Sequence, residues 1–289
     1  MEIITKPKEM QLRANELRAE NKKIGFVPTM GALHQGHLSL IRRARRENDV
    51  VVISIFVNPI QFGEGEDYEE YPRNLEADSK LAKEAGVDAI FAPAAREMYP
   101  IRHTTIVSVE GLSKRLCGAS RPGHFRGVTT VVAKLFNITR PHTAYFGQKD
   151  YQQAQIIRRM VSDLSFDLKI EICPIVRERD GLAMSSRNSY LAVKERQAAP
   201  VLFNALQKAK SMLQSGEVEA ERIKEEIVNL IEKEPLATID YVETVNTESL
   251  EPVEEIRKEI LVALAVKIGK TRLIDNLLYE PREVIRCNG

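Results

Sequence analysis

The 289-residue chain contains no tryptophan, an absence that excludes nothing by itself, and only three cysteines: Cys117, Cys173 and Cys287. They are odd in number and none stands in a CxxC pair. Such a set does not build a disulfide framework and fits a reducing cytoplasm. Neither sign of charge prevails: 42 Lys and Arg stand against 41 Asp and Glu, a net +1. That balance offers no field to a polyanion, so neither nucleic acid nor an acidic membrane surface is an expected partner. No apolar run approaches the ~20 residues that span a bilayer. Met1 to Glu20 carries several charges and no apolar stretch, so it is not expected to act as a signal peptide. The chain is 43% hydrophobic and 29% charged, as in an ordinary globular protein. Its length accommodates roughly two domains of about 150 residues.

The first two-thirds of the sequence alternates strand and helix signals. Lys23–Pro28 is a short apolar run, Leu38–Glu47 has leucine, isoleucine and alanine on one face and arginines on the other, and Asp49–Val57 is β-branched and apolar nearly throughout. Runs of that last kind are strands buried on both faces of a parallel sheet. Leu75–Ala85 with Gly86 as its stop, Val87–Ala92, Thr143–Phe146, Tyr151–Ser162 and Leu168–Val176 continue the alternation. The expected fold is α/β, a Rossmann-like parallel sheet over residues 1–175. Beyond it, Glu195–Gln214 and Val218–Glu234 read as long helices. Ile239–Val245, Leu261–Val266 and Arg272–Leu278 read as strands too close together for crossover helices. Residues 176–289 are therefore expected to form a smaller α+β domain.

Five segments carry candidate chemistry. Met30-Gly31-Ala32-Leu33-His34-Gln35-Gly36-His37 lies between the first buried strand and a helix, where open α/β sheets bind ligands and where a helix N-terminus favours phosphate. Its HxGH pattern is the signature shared by class I aminoacyl-tRNA synthetases and related nucleotidyltransferases. The two histidines either donate to phosphoryl oxygens or cap the helix. No cysteine or third histidine lies nearby in sequence to complete a zinc site. Met184-Ser185-Ser186-Arg187, preceded by Arg177-Glu178-Arg179-Asp180-Gly181, supplies two hydroxyls and a guanidinium suited to phosphates or, alternatively, a polar linker. Gly147-Gln148-Lys149-Asp150 and Gln153 form another strand-to-helix junction. There Lys149 offers a cation, and Asp150 either caps the helix or accepts from a ribose hydroxyl. Phe56-Val57-Asn58-Pro59-Ile60-Gln61-Phe62-Gly63 offers neutral amides in an apolar frame, suited to a small hydroxy acid. Gly118–Gly127, dense in glycine and proline, reads as a loop whose cations face a substrate carboxylate. His103 and His142 read as surface or packing residues.

Together PTMGALHQGHLSLI, FVNPIQFG, YPRN, SRPGHFRGV, FGQKDYQQ and MSSRN, in this order between Pro28 and Asn188, resemble the pantothenate synthetase (pantoate–β-alanine ligase) family. The resemblance implies an ATP-dependent ligase. It joins pantoate to β-alanine through a pantoyl adenylate, releases AMP and pyrophosphate, and serves vitamin B5 and coenzyme A biosynthesis. It implies that Met30 to His37, Gly147 to Asp150, Val176 and Met184 to Arg187 bind ATP. Gln61 then contacts pantoate and borders β-alanine, Gln153 binds pantoate, and His37 is the catalytic histidine, with His34 and Lys149 acting beside it. Mg²⁺ accompanies ATP; its ligands stay open, with Asp78 a carboxylate in the region. The resemblance also implies a cytoplasmic homodimer whose second domain serves as a lid. His34, His37, Lys149 and Arg187 are expected as cations that meet charge building on the phosphoryl oxygens. A nucleotidyltransferase that stops at AMP transfer, and a nucleotide-binding regulator without turnover, are the rival readings. A tRNA-charging role is disfavoured by the near-zero net charge.

Overall fold

A computed structural model describes residues 1–281; Cys287 lies outside the described residues. The chain divides into two compact units, one of Met1–Val176 with Met184–Ser186, the other of Arg177–Ala183 with the chain from Arg187 onward.

In the first unit, strands β1 (Glu2–Ile4), β2 (Ile24–Thr29), β3 (Val50–Ile55), β4 (Ala89–Phe91), β5 (Thr143–Gly147) and β6 (Lys169–Cys173) form one parallel sheet in the order β1-β4-β3-β2-β5-β6. Helices α1 (Pro7–Ala19), α2 (Gln35–Glu47), α3 (Leu75–Glu84), α4 (Ala95–Met98), α5 (Cys117–Ser120), α6 (His124–Thr139) and α7 (Tyr151–Asp163) connect them. Successive residues of β2 serve opposite faces. Phe26 meets Phe136 of α6 edge-on at 6.4 Å, and Val27 joins Leu38, Ile41 and Ala44 of α2. This two-sided burial explains why the strands read as continuous apolar runs.

The sheet order reverses between β2 and β5. β3 pairs with β2 from Ile24 to Thr29, whereas β5 pairs with it only at Gly25 and Phe26. The carboxyl ends of β2 and β5 therefore stand apart, and such a switch point is where open α/β sheets form their ligand crevice.

The second unit contains α8 (Val193–Ala198), α9 (Val201–Gln214), α10 (Ala220–Ile231) and an antiparallel sheet of β7 (Ala237–Asn246), β8 (Ile260–Ile268) and β9 (Thr271–Tyr279). Leu202, Leu206, Ile223 and Ile227 pack on Val262, Leu264 and Val266 of β8. The single helix expected over Glu195–Gln214 is two helices. Pro200 has no N–H to continue the first, and α9 starts after it.

The Arg177–Gly181 segment belongs to this unit's own scaffold. Arg177 makes a two-pronged ion pair with buried Asp275, at 2.6 and 3.0 Å, and lies over the Phe203 ring. Arg196 bridges Glu178 and Asp180, each at 2.6 Å.

Candidate active site

The Met30–His37 turn is held from below. Thr29 Oγ1 donates to the Ser54 carbonyl at 2.7 Å and accepts the Gly31 N–H at 3.1 Å. Gly31 (φ +89°) and Ala32 (φ +49°) both adopt the left-handed region. For alanine this costs roughly 1–2 kcal/mol. Asp78, on the first turn of α3, offsets it. Oδ2 accepts from Ala32 N at 2.9 Å, and Oδ1 accepts from Leu33 N at 2.8 Å. Both oxygens of this buried carboxylate are thus directed at backbone N–H groups rather than at a metal.

Helix α2 starts at Gln35, three residues before the sequence pattern indicated, because His34 is its N-cap. His34 Nδ1 accepts the Gly36 N–H at 3.1 Å, and His37 Nδ1 faces the His34 N–H at 3.4 Å. A ring nitrogen that accepts carries no proton, so Nδ1 is the acceptor on each ring, and a neutral His37 bears its hydrogen on Nε2. Capping and phosphate donation are therefore not rivals here, since the two roles fall to different ring nitrogens and Nδ1 serves the helix. The rings lie 4.1 Å apart at 33°. Gly36 is required for this packing, since a Cβ would come within 2.8 Å of the His34 ring.

Burial, with the neighbouring His34 and Lys149 charges, pushes the His37 pKa from 6.5 down to about 3. That shift favours the neutral ring over the expected cation as long as no phosphoryl charge stands beside it. Lys149, on the 3₁₀ turn after β5, adds to this lowering and so stands within electrostatic reach of His37. Asp150 occupies the N-cap position of α7 but makes no side-chain cap. Lys149 Nζ lies 3.4 Å from its Oδ1.

The remaining segments converge on this opening. Met184 lies beside Gly36, its Cβ 3.8 Å from where a Gly36 Cβ would stand, and its N–H donates to the Val176 carbonyl at 3.0 Å. Tyr71, of the YPRN segment, shares a 3.0 Å hydrogen bond with Ser186 Oγ. Gln61 Nε2 points at Met30 Sδ, 3.1 Å away. Gln153 sits on the first turn of α7, while its neighbour Gln152 is structural, donating to the Leu112 and Arg115 carbonyls. Arg187 starts the chain's return to the second unit.

The Gly118–Gly127 loop expectation is corrected: α5 runs into its start and α6 begins at His124, after Gly123 with φ +83°. Arg121 grips Glu66 with two bonds of 2.6 Å, and His124 Nδ1 lies 2.8 Å from the Gln61 carbonyl. Burial raises the Glu66 carboxyl, but hydrogen bonding and charge from Arg121 outweigh it and leave the group below its ordinary range. At Gly127 a Cβ would stand 2.2 Å from the Ile60 carbonyl, so α6 meets the Gln61 turn backbone to backbone.

Sequence reasoning missed Tyr99 altogether and considered Asp78 only as a possible metal ligand. An acidic residue in a first helical turn is a visible dipole signal, but its partners lie 45 and 46 residues away.

Fold and site together define an HxGH-type nucleotide-binding α/β enzyme, with two imidazoles and a lysine at the sheet's switch point. The family model for pantoate-beta-alanine ligase matches residues 2–278. The chain belongs to that family, whose members are ATP-dependent carbon–nitrogen ligases of pantothenate biosynthesis. The pantothenate synthetase of Heliobacterium modesticaldum is 58% identical over 280 residues, 97% of this chain and all of the relative. That of Thermotoga petrophila is 57% identical over 278 residues, 96% of this chain and 99% of the relative. The crystal structure of the Thermus thermophilus pantothenate synthetase superposes with a TM-score of 0.90 at 47% identity, covering 96% and 99% of the two chains. That of the Francisella tularensis pantoate-beta-alanine ligase, complexed with beta-gamma ATP and beta-alanine, gives 0.80 at 37%, covering 98% and 100%. The α/β architecture with its separate antiparallel sheet is thus the fold of these enzymes.

Proposed function

We propose that this chain condenses pantoate with β-alanine through a pantoyl adenylate formed in the β2–β5 crevice. The observation that carries the reading is the stacked pair of imidazoles, His34 and His37, at the start of α2, with Lys149 on the turn after β5. In the first step a pantoate carboxylate oxygen attacks the α-phosphorus of ATP. The bond from that phosphorus to the bridging oxygen breaks, and pyrophosphate leaves. In the second, the neutral β-alanine amine attacks the acyl carbon and the acyl–oxygen bond to AMP breaks. The nitrogen sheds a proton as the amide forms. Negative charge builds on phosphoryl oxygens in the first step. Fixed donors aimed at it are worth most in such a site. His37 donates as a neutral imidazole, which leaves the positive charge to Lys149 and, by the family resemblance, Arg187.

By that resemblance Met30 to His37, Gly147 to Asp150, Val176 and Met184 to Arg187 hold ATP, and Gln61 with Gln153 holds pantoate. Among the described residues no cluster of three or more His, Cys, Asp or Glu is placed to hold a metal. Asp78 is committed to backbone. The donor set does not fit a resident Mg²⁺, so the ion is read as entering on the triphosphate, as part of the nucleotide substrate. No helix of the described residues is long and apolar enough to cross a membrane. Cytoplasmic location, a homodimer and a lid role for the second unit follow from the family resemblance. Light scattering in solution tests the dimer. An X-ray scattering curve that stays unchanged on adding ATP and pantoate counts against the lid.

The deciding experiment is pyrophosphate release from ATP with pantoate alone and then with β-alanine. A stoichiometric burst followed by steady formation of AMP and pantothenate supports both half-reactions. No release with pantoate removes the named substrate. AMP transfer that needs no amine favours a nucleotidyltransferase that stops at the first step.

A further inference from the structure

We propose that Tyr99 is a positioning residue for the acid substrate, acting through Asn58 to hold the donor end of the Gln61 side-chain amide toward the crevice. The inference rests on the pantoate reading of the Gln61 site. It begins at a backbone carbonyl. Asn58 is buried, and its side chain lies 3.1 Å from the carbonyl oxygen of Gly127, which can only accept. That contact puts the Asn58 nitrogen toward α6 and its Oδ1 toward Tyr99, whose hydroxyl donates to it at 2.7 Å. The second hydrogen on Asn58 Nδ2 points at Gln61 Oε1, 2.9 Å away. The acceptor end of Gln61 is then occupied, and its Nε2 faces Met30 Sδ at 3.1 Å. A thioether is a weak acceptor. A hydroxyl or carboxylate oxygen of a small hydroxy acid displaces it readily.

Each link in this chain has one permitted sense, set by the Gly127 carbonyl and completed by the Tyr99 hydroxyl. Without that hydroxyl, Asn58 Oδ1 is a buried acceptor with no donor, and rotation of the Asn58 amide is no longer opposed from that side. Burial raises the Tyr99 hydroxyl's pKa well above its ordinary value, so it remains a donor throughout the working pH range. Tyr99 is fixed in place by its ring contacts: His103 meets it edge-on at 5.1 Å, Phe56 lies at 6.2 Å, and the Lys134 ammonium stands 5.8 Å over its face. Tyr99→Phe keeps the ring and these contacts and removes only the donor.

The test measures kcat and the KM values for pantoate and ATP in wild type, Tyr99→Phe, Gln61→Ala and the double variant. Tyr99→Phe is expected to raise the pantoate KM about three- to tenfold, the effect of one buried hydrogen bond, with the ATP KM within about twofold of wild type. In the Gln61→Ala background, with no amide to orient, the same change should leave the pantoate KM where Gln61→Ala put it. Equal rises in both KM values, no rise in the pantoate KM, or a further full rise in the Gln61→Ala background overturns the inference while the proposed function stands. A wild-type protein inert toward pantoate overturns both. Should Tyr99→Phe fail to fold, Gln61→Glu, which puts an oxygen where Nε2 was, carries the test. It is expected to bind pantoate more weakly than Gln61→Ala. Wild-type affinity in Gln61→Glu means the amide faces the other way, and the inference falls.

Discussion

Asp78 and Ala32 are 46 residues apart in sequence and 2.9 Å apart in space, carboxylate oxygen to backbone nitrogen, and Ala32 is in the left-handed region. The carboxylate spans two consecutive N–H groups at the point where the chain turns from β2 into the histidine-bearing helix. Asp78→Asn retains one acceptor and aims an NH₂ at the other N–H. We expect a loss of about 1–3 kcal/mol in unfolding free energy, accompanied by slower pyrophosphate release. Urea denaturation with parallel turnover assays checks this. Unchanged stability would show that the turn holds itself.

His37 should not titrate between pH 8 and pH 5. Histidine NMR, with its resonance assigned by loss in His37→Asn, is expected to show a flat shift over that range, because burial and nearby charge carry its pKa to about 3. The unfolded chain takes up this proton near 6.5 and the folded protein does not. Acid therefore favours unfolding, and stability linked to His37 is lost as pH falls from 6.5 toward 3. An inflexion near 6.5 assigned to His37 would contradict the lowered pKa.

Removal of either principal donor should cost chemistry rather than fold. His37→Ala and Lys149→Ala are expected to slow pyrophosphate release by roughly 10²–10³. Lys149→Ala should keep its melting temperature, and His37→Ala should lose a little, since Nδ1 also serves the helix start. Near-normal rates in either variant would remove that residue from the mechanism.

Gly127→Ala places a Cβ 2.2 Å from the Ile60 carbonyl. The helix must shift or the turn carrying Gln61 must move, at about 1–3 kcal/mol for such overpacking. A lower melting temperature and a raised pantoate KM are both expected. Loss of stability alone would mean that the helix yields and the turn does not.

The motifs around the crevice were legible because each sits where a buried apolar run gives way to helix, a position that chain order alone locates. Five strands of the parallel sheet followed from the same alternation; the sixth, β1 at the edge, is three residues long and too short to show a period. Helix α6 was not legible. Its residues include Val128, Thr129, Thr130, Val131, Val132 and Ile138, β-branched types that favour strands, and nearly all of it is buried, so no polar face marks the helical period. The hydroxyls of Thr129 and Thr130 return to the Phe125 and Arg126 carbonyls at 2.8 and 2.7 Å, inside the helix. Gly127 read as a loop glycine, but it is a helix position kept bare for a neighbouring carbonyl. The Tyr99–Asn58–Gln61 chain was equally hidden. Its sense is set by one backbone oxygen of α6, and no local spacing reveals which end of an amide faces a substrate.

β2 and β5 are laced together only at Gly25 and Phe26, well short of their carboxyl ends. The two strands behave like the legs of a pair of dividers, hinged low and open at the tips, with the histidine turn on one leg and Lys149 on the other. In the proposed reaction, the span offered to a triphosphate is therefore set at the hinge, by how many rungs the two strands share. One added rung would narrow the mouth without altering a single residue that touches substrate.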